Sequence, residues 1–306
     1  MSGRLFGMTT SANSSFYTKW ALVTLLKNTQ FNDNDVIYLI DNDNCYTEQV
    51  NNRITIIKNN FPLTFAQNVN KLMSMALYAD KDLIFLSNDI LLTKGWLEPL
   101  EELSDAISIS SCNQTHQYAF NGLTLAANVD WEDYNHRYMS LCEISTKHIL
   151  NNTGYFERLL MPFYMFRLPK SAYLKLGHMD TKFVNGGEDI DYRLRALING
   201  IDVKYASKSY ILHFNGKSTW RGTEDITKTK AREKNYKTNF INKWNEDLFR
   251  LMFLGNDPNS VLQKYDLMNF NNDTGEFNEL IKSVVSVSVS LPGMISSAWF
   301  LSAGKK

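Results

Sequence analysis

The chain is short of several things. Its 306 residues include three cysteines, six prolines and 15 glycines, and cationic and anionic side chains balance at 32 each. Cys45, Cys112 and Cys142 have no Cys-x-x-Cys spacing and are odd in number. That argues against a disulfide framework or a zinc ribbon and for a reducing, cytoplasmic compartment. So little proline and glycine excludes collagen-like and low-complexity chains. Zero net charge removes the broad positive field that non-specific nucleic-acid binding needs, so no nucleic-acid partner is expected and any polyanion site is local. Long apolar runs are also scarce. Residues 1–10 lack the apolar stretch of a signal peptide. The uncharged stretch Ser283–Gly304 carries seven serines and a proline, which makes it a poor membrane-spanning helix.

What is present is ordinary globular material: 44% hydrophobic and 13% aromatic residues, enough for one large domain with a substantial core. The first half alternates strand-like and helix-like segments. Arg4–Thr10, Asp35–Ile40, Arg53–Lys58 and Asp82–Leu86 are continuous apolar strands. Phe16–Asn28 and Phe65–Tyr78 have helical spacing. In the first, Phe16, Trp20, Val23 and Leu26 or Lys27 fall near one stripe, with Ser14 or Ser15 as cap. In the second, Phe65, Val69, Leu72, Met73 and Ala76 point inward. This order predicts an α/β fold, a mostly parallel sheet covered by helices on both faces. Further strands are expected near Ala106–Ser111, Met161–Leu168, Val203–Ala206 and Tyr210–His213. Helices are expected at Pro169–Leu176 and Glu188–Asn199, with Gly177 and Gly200 as stops. Residues 1–245 form the predicted domain, and 246–306 a C-terminal helical or irregular extension for packing, oligomer or membrane contact.

In such sheets ligands bind beyond the carboxyl ends of the strands. Polar clusters stand at three of those ends: Thr9–Asn13, Asp41–Asn44 and Ser87–Asp89. Asp89, just past a buried strand, suits a divalent cation, because hard cations take one or two carboxylates together with phosphates. It serves equally well as the cap of a turn. Asp41 and Asp43 would pair with a nucleobase N–H or with ribose hydroxyls, or simply build an Asx turn. Gly186-Gly187-Glu188-Asp189 opens a helix with acids. They complement the helix dipole whether or not one of them, Glu188 or Asp189, is a general base. His213 completes a site for Mn²⁺ or holds a strand end. Lys217 and Ser218, in the Gly216–Thr219 turn, suit a phosphate.

The order and spacing of these signals resemble the GT-A glycosyltransferases of family 2, the large inverting group. The likeness runs through Thr9-Thr10, the Asp-rich turn Asp41–Asn44, and Asn60–Asn70, which is similar to N-x-G-F-A-x-x-x-N. It continues through the DxD-like Leu86-Ser-Asn-Asp-Ile90 with its Gly95-Trp96-Leu97 tail. It ends with Gly177-His-Met-Asp180…Phe183…Glu188-Asp189-Ile-Asp191…Arg195, then His213 and Ser218. The resemblance implies a GT-A fold and transfer of a sugar from a nucleoside-diphosphate donor, UDP- or dTDP-type, to a hydroxyl of a glycan or lipid-linked acceptor. It implies Thr9, Thr10 and Asp41 near the nucleobase, Asn68 in the donor site and Asn88 on the ribose or a phosphate. Asp89 and His213 would hold Mn²⁺ or Mg²⁺. Asp189 would deprotonate the acceptor, with Glu188 orienting it. The chain departs from the pattern at Ser87, where many members carry the first Asp of DxD.

Two other readings stand beside this one. A catalytically silent GT-A domain that binds nucleotide or glycan would account for Ser87. A nucleotidyltransferase would share the architecture, but Met8–Ser15 carries no basic residue. Thr227–Lys237 holds five cationic side chains against one Glu233. It reads as a solvated helix face or as a helix lying peripherally on the inner face of an anionic membrane. In the segment 112–164, Trp131, Tyr134, His136 and Tyr138 would stack on acceptor sugars or pack in the core.

Overall fold

Apolar runs bounded by Asn, Asp and Ser form the strands of one nine-stranded sheet in the computed structural model, which describes residues 3–112, 143, 146–147, 150, 153–157, 163–214, 225–246 and 248–249. The strands are β1 (Arg4–Thr10), β2 (Val36–Asp41), β3 (Ile54–Lys58), β4 (Asp82–Leu86), β5 (Ile90–Leu92), β6 (Ile107–Cys112), β7 (Tyr155–Glu157), β8 (Met165–Leu168) and β9 (Val203–His213). The sheet order is β3-β2-β1-β4-β8-β6-β9-β5, with β7 also on β9. The helices are α1 (Ser15–Asn28), α2 (Phe65–Tyr78), α3 (Glu98–Glu101), α4 (Lys170–Leu176), α5 (Glu188–Ile198) and α6 (Ile226–Trp244).

β3, β2, β1 and β4 pair in parallel; α1 makes the crossover from β1 to β2 and α2 that from β3 to β4, while β2 reaches β3 through a helix-free segment, 42–53. β8 then enters antiparallel between β4 and β6, while β6 and β9 are parallel to each other. The parallel reading therefore holds for the first half, and the second half is mixed. Helices cover both faces. Gly7 faces α2 so closely that an added Cβ would lie 2.8 Å from the Leu72 side chain. Phe6, on the opposite face, meets Phe31 and Trp96 edge-on at 5.2 and 6.4 Å.

Local chemistry sets the element ends. Thr64 and Gln67 form a reciprocal capping box at the start of α2. Gly177, at φ +68°, ends α4. Ser14 stands at the N-cap of α1, but its hydroxyl accepts from Asn88 instead of capping the helix. The expected apolar stripe of α1 is corrected as well. Its buried residues are Thr18, Ala21, Leu22, Thr24 and Leu25, while Phe16 is 48% exposed. Two threonines on the inner face carry this: Thr24 accepts from the Leu92 amide at 3.1 Å and Thr18 bonds Thr10 at 2.7 Å. The two expected strands at Val203–Ala206 and Tyr210–His213 are one strand. Ser207-Lys208-Ser209 is absorbed as a register shift opposite Ser110 and Ser111, and Ser209 Oγ bonds Ser110 Oγ at 2.7 Å. Among the described residues no helix is long and apolar enough to cross a membrane.

Candidate functional site

The sheet gathers its polar ends on one rim. β1, β2, β3 and β4 point their carboxyl ends the same way, and β6 and β9 join them because β8 is antiparallel to both β4 and β6. The rim therefore carries Thr10, the Asp41–Cys45 turn, Asn59, Ser87–Asp89, Cys112, the Phe163-Tyr164 turn and His213.

Asp89 and His213 meet on this rim. Ile90 pairs with His213 across β5 and β9, and the Phe214 amide donates to the Asp89 carbonyl at 2.9 Å. These backbone bonds bring His213 Nε2 to 3.4 Å from Asp89 Oδ1, with the Asp89 side chain fully buried. Ser87 Oγ donates to the same carboxylate oxygen at 2.6 Å. Burial disfavours the imidazolium, but the Asp89 charge and its hydrogen bond outweigh that and hold His213 up to about 10. Tyr164 stacks on the His213 ring at 5.1 Å between centroids.

Carboxylate oxygen and imidazole nitrogen are suitable donors for Mn²⁺ or Mg²⁺. Two ligands at right angles, each about 2.1 Å from an ion, stand about 3 Å apart, so the observed 3.4 Å fits a shared cation. A cation there takes the place of the imidazolium proton.

Asp41 organises the neighbouring turn. Its two oxygens accept from the Cys45 and Tyr46 amides at 3.2 and 3.1 Å. Asp43 accepts from the Ala12 amide at 2.9 Å and from the Cys45 thiol at 2.8 Å. Ligand atoms of Asp41, Asp43 and Cys45 lie within 4.8 Å of one another, a second group able to hold a cation. Burial, then Asp43 and Asp41, push the Cys45 thiol up to about 12, so its neutral form suits hydrogen bonding better than metal ligation. Two buried hydroxyl oxygens, Thr9 Oγ1 and Tyr46 Oη, have no hydrogen-bond partner among the described residues.

The acids of α5 flank the other side. Tyr192, one turn into this helix, meets Phe163 at 6.1 Å, and Ser87 donates its amide to the Tyr164 carbonyl at 2.8 Å. The Phe163-Tyr164 turn thus lies between the Asp89–His213 pair and the acid-tipped helix. Glu188 is 4% exposed, and its Oε2 has no hydrogen-bond partner among the described residues. Burial, then the Asp189 charge, push it up to about 8 against the opposing pull of the Gly186 amide and Arg232. Asp189 is half-buried and accepts from the Ile190 amide at 2.8 Å. Asp191 is structural: it accepts from Trp244 Nε1 at 2.8 Å and from Arg195 at 3.1 Å.

Several residues singled out in the sequence are turned inward. Asn88 donates to Ser14 Oγ and Thr18 Oγ1 at 2.7 and 2.9 Å, and Thr10 bonds Thr18. Asn68 bonds Asn42 and Asn59, both at 2.9 Å, inside a network that shapes the turn after β2. The hydrogen bonds of these three side chains fix the rim in place. Lys217 and Ser218 lie outside the described residues, as do Cys142, Trp131, Tyr134, His136, Tyr138 and nearly all of the 246–306 extension. Tyr164, Tyr46 and Arg232 carry no motif or spacing that marks them as neighbours of the site. Arg232 was visible only as one charge in a basic run.

No family model and no curated sequence matches the chain. Among solved structures it is similar to GalNAc-T7, crystallised with UDP, GalNAc and Mn²⁺, at 13% identity and a TM-score of 0.56. The match covers 92% of this chain and 55% of that one, so the chain spans about half the length of that structure. The likeness establishes the GT-A fold.

Proposed function

We propose that the chain is a glycosyltransferase that moves a sugar from a nucleoside-diphosphate sugar to a hydroxyl of a glycan or lipid-linked acceptor. One juxtaposition carries this reading: Asp89 and His213 share one buried corner of the rim, and the Phe163-Tyr164 turn separates them from an acid-tipped helix. The fold supports it, and the structurally similar GalNAc-T7 was solved with UDP and Mn²⁺.

Asp89 and His213 would hold Mn²⁺ or Mg²⁺, which when bound neutralises the charge developing on the departing diphosphate. Ser87 orients the Asp89 carboxylate through its 2.6 Å hydrogen bond. Thr9, whose buried hydroxyl oxygen has no hydrogen-bond partner among the described residues, and the Asp41–Asp43 turn border the nucleobase and ribose. Lys217 and Ser218 meet a phosphate. Asn88, Asn68 and Thr10 position the backbone around the donor. Asp189, half-exposed at the first turn of α5, takes the proton of the acceptor hydroxyl. Glu188, held neutral near pH 7 by burial, leaves that pair with a single negative charge. One in-line displacement from the face opposite the diphosphate inverts the anomeric centre.

A panel of sugar nucleotides with Mn²⁺, read as nucleotide release and as the anomeric configuration of the product, tests this. Metal-dependent release with inversion is expected. Retention would overturn the single displacement. Nucleotide binding without release would favour the silent domain, for which Ser87 speaks. Peripheral membrane contact by the basic α6 is part of the same proposal, and absence of co-sedimentation with anionic liposomes would remove it.

A further inference from the structure

The basic run Thr227–Lys237 lies in α6, and one side of this helix is docked. Its residues Arg232, Tyr236, Asn239, Lys243 and Trp244 recur at helical spacing and meet the segment from Asp180 to Asp191. Lys243 Nζ bonds Asp180 and Asp191, each at 2.8 Å, and Trp244 Nε1 bonds Asp191 at 2.8 Å. Asn239 donates to the Lys182 carbonyl at 2.7 Å, and Arg232 to the Asn185 carbonyl at 3.3 Å. Tyr236 covers Gly187 so closely that an added Cβ would overlap its ring, and a Cβ on Gly186 would sit 3.7 Å from an Arg232 guanidinium nitrogen. The cations Lys230, Lys234 and Lys237 are exposed. Arg232 is the one that reaches the loop immediately before the acid pair.

We propose that Arg232 is a positioning residue for the Glu188–Asp189 pair: from α6 it holds the Asn185–Gly187 loop and supplies the positive charge that Glu188 faces. This rests on the reading of that pair as the acceptor-side acids. Glu188 faces Asp189 on its own helix, the Gly186 amide in the loop, and Arg232 on α6, whose Tyr236 closes over Gly187. Of these, Asp189 opposes ionisation of Glu188, while Arg232 and the amide favour it.

The test is the pH dependence of urea unfolding for the full chain and for Arg232→Gln, Glu188→Gln, the double variant and Arg232→Lys. In the unaltered protein the loss of stability attributable to Glu188 ends near pH 8, where its carboxyl ionises in the folded state. Arg232→Gln is expected to move that end upward by about one pH unit, the effect of one nearby charge removed. Arg232→Lys leaves it in place, and no shift remains once Glu188 is Gln. A pH-independent part of the Arg232→Gln loss belongs to the lost Asn185 bond; a loss with no pH-dependent part, or a pH-dependent part that persists in the Glu188→Gln background, overturns the proposal. Arg232→Met is the neutral variant to use should Arg232→Gln not fold. In turnover, Arg232→Gln is expected to move the alkaline limb of the transfer profile by the same amount. If the unaltered chain turns over no sugar nucleotide, glycosyl transfer is wrong, and the unfolding series still decides the role of Arg232.

Discussion

Ser87 stands where a second carboxylate would serve a cation, and its hydroxyl instead fixes Asp89 at 2.6 Å. Ser87→Ala is therefore expected to weaken Mn²⁺ binding about tenfold by calorimetry, the loss typical of an outer-shell partner. Asp89→Ala should leave no measurable binding at this site. Glu188 gives a prediction with a definite sign. Its carboxyl titrates near 8 in the folded chain, above an ordinary glutamic acid. Between the two values the folded state holds a proton that the unfolded state has lost, so stability falls as pH rises from about 4.5 to about 8. Glu188→Gln should flatten that fall, read as the urea midpoint at pH 5 and pH 8. Position along the chain was legible in the sequence: Asp41, Asp89 and His213 stand at strand ends and Glu188 opens a helix, as expected. The direction of a side chain was not. Asn68, Asn88 and Thr10 look suited to a ligand, yet they bond inward to partners on other elements, and the buried Asp41 likewise gives both its oxygens to the Cys45 and Tyr46 amides.

The helices show what periodicity can and cannot reveal. The buried face of α2 follows its apolar spacing closely. That of α1 does not, because Thr18 and Thr24 are buried through hydrogen bonds that a hydrophobic pattern cannot register. The basic appearance of α6 hid a docked side for the same reason: it reads carbonyls and carboxylates through Arg, Asn, Lys and Trp. The join between α6 and α5 is testable at Gly187, where φ is +87° and the Tyr236 ring leaves no room for a Cβ. Gly187→Ala should cost about 2 kcal/mol or more, from backbone strain and overlap together. Adding Tyr236→Ala should recover the overlap but not the strain, as read by urea denaturation. The two separate expectations near Ser207–Ser209 failed where polar residues mark a bulge, a feature that depends on which strand lies opposite.

Across the whole molecule, the alternation of strands and helices was enough to predict the parallel half of the sheet, because crossover connections leave little choice of topology. The insertion of β8 was not legible, since a short apolar strand carries no sign of its neighbours. The edge of the fold opposite the rim is tied by Arg4, which meets the buried Asp35 at 2.5 Å and Glu101 at 3.0 Å. One side chain thus joins β1, the approach to β2, and α3. Arg4→Ala should destabilise the protein by about 3 kcal/mol, because it strands a buried carboxylate. The Asp35 carboxyl lies below its usual value, the bonds from Arg4 and Asn32 outweighing burial. The stabilisation is therefore present at neutral pH and disappears in acid, and the difference between Arg4→Ala and the parent should narrow as pH falls. The reversed run of β8 has a practical corollary. β6 finishes at Cys112 and β8 starts at Met165 on the same side of the sheet, so the intervening residues leave and rejoin the scaffold at adjacent anchor points. Because β7 (Tyr155–Glu157) lies within that stretch and pairs with β9, only an exchange that leaves it in place preserves the sheet, which makes 113–152 the natural cassette for grafting.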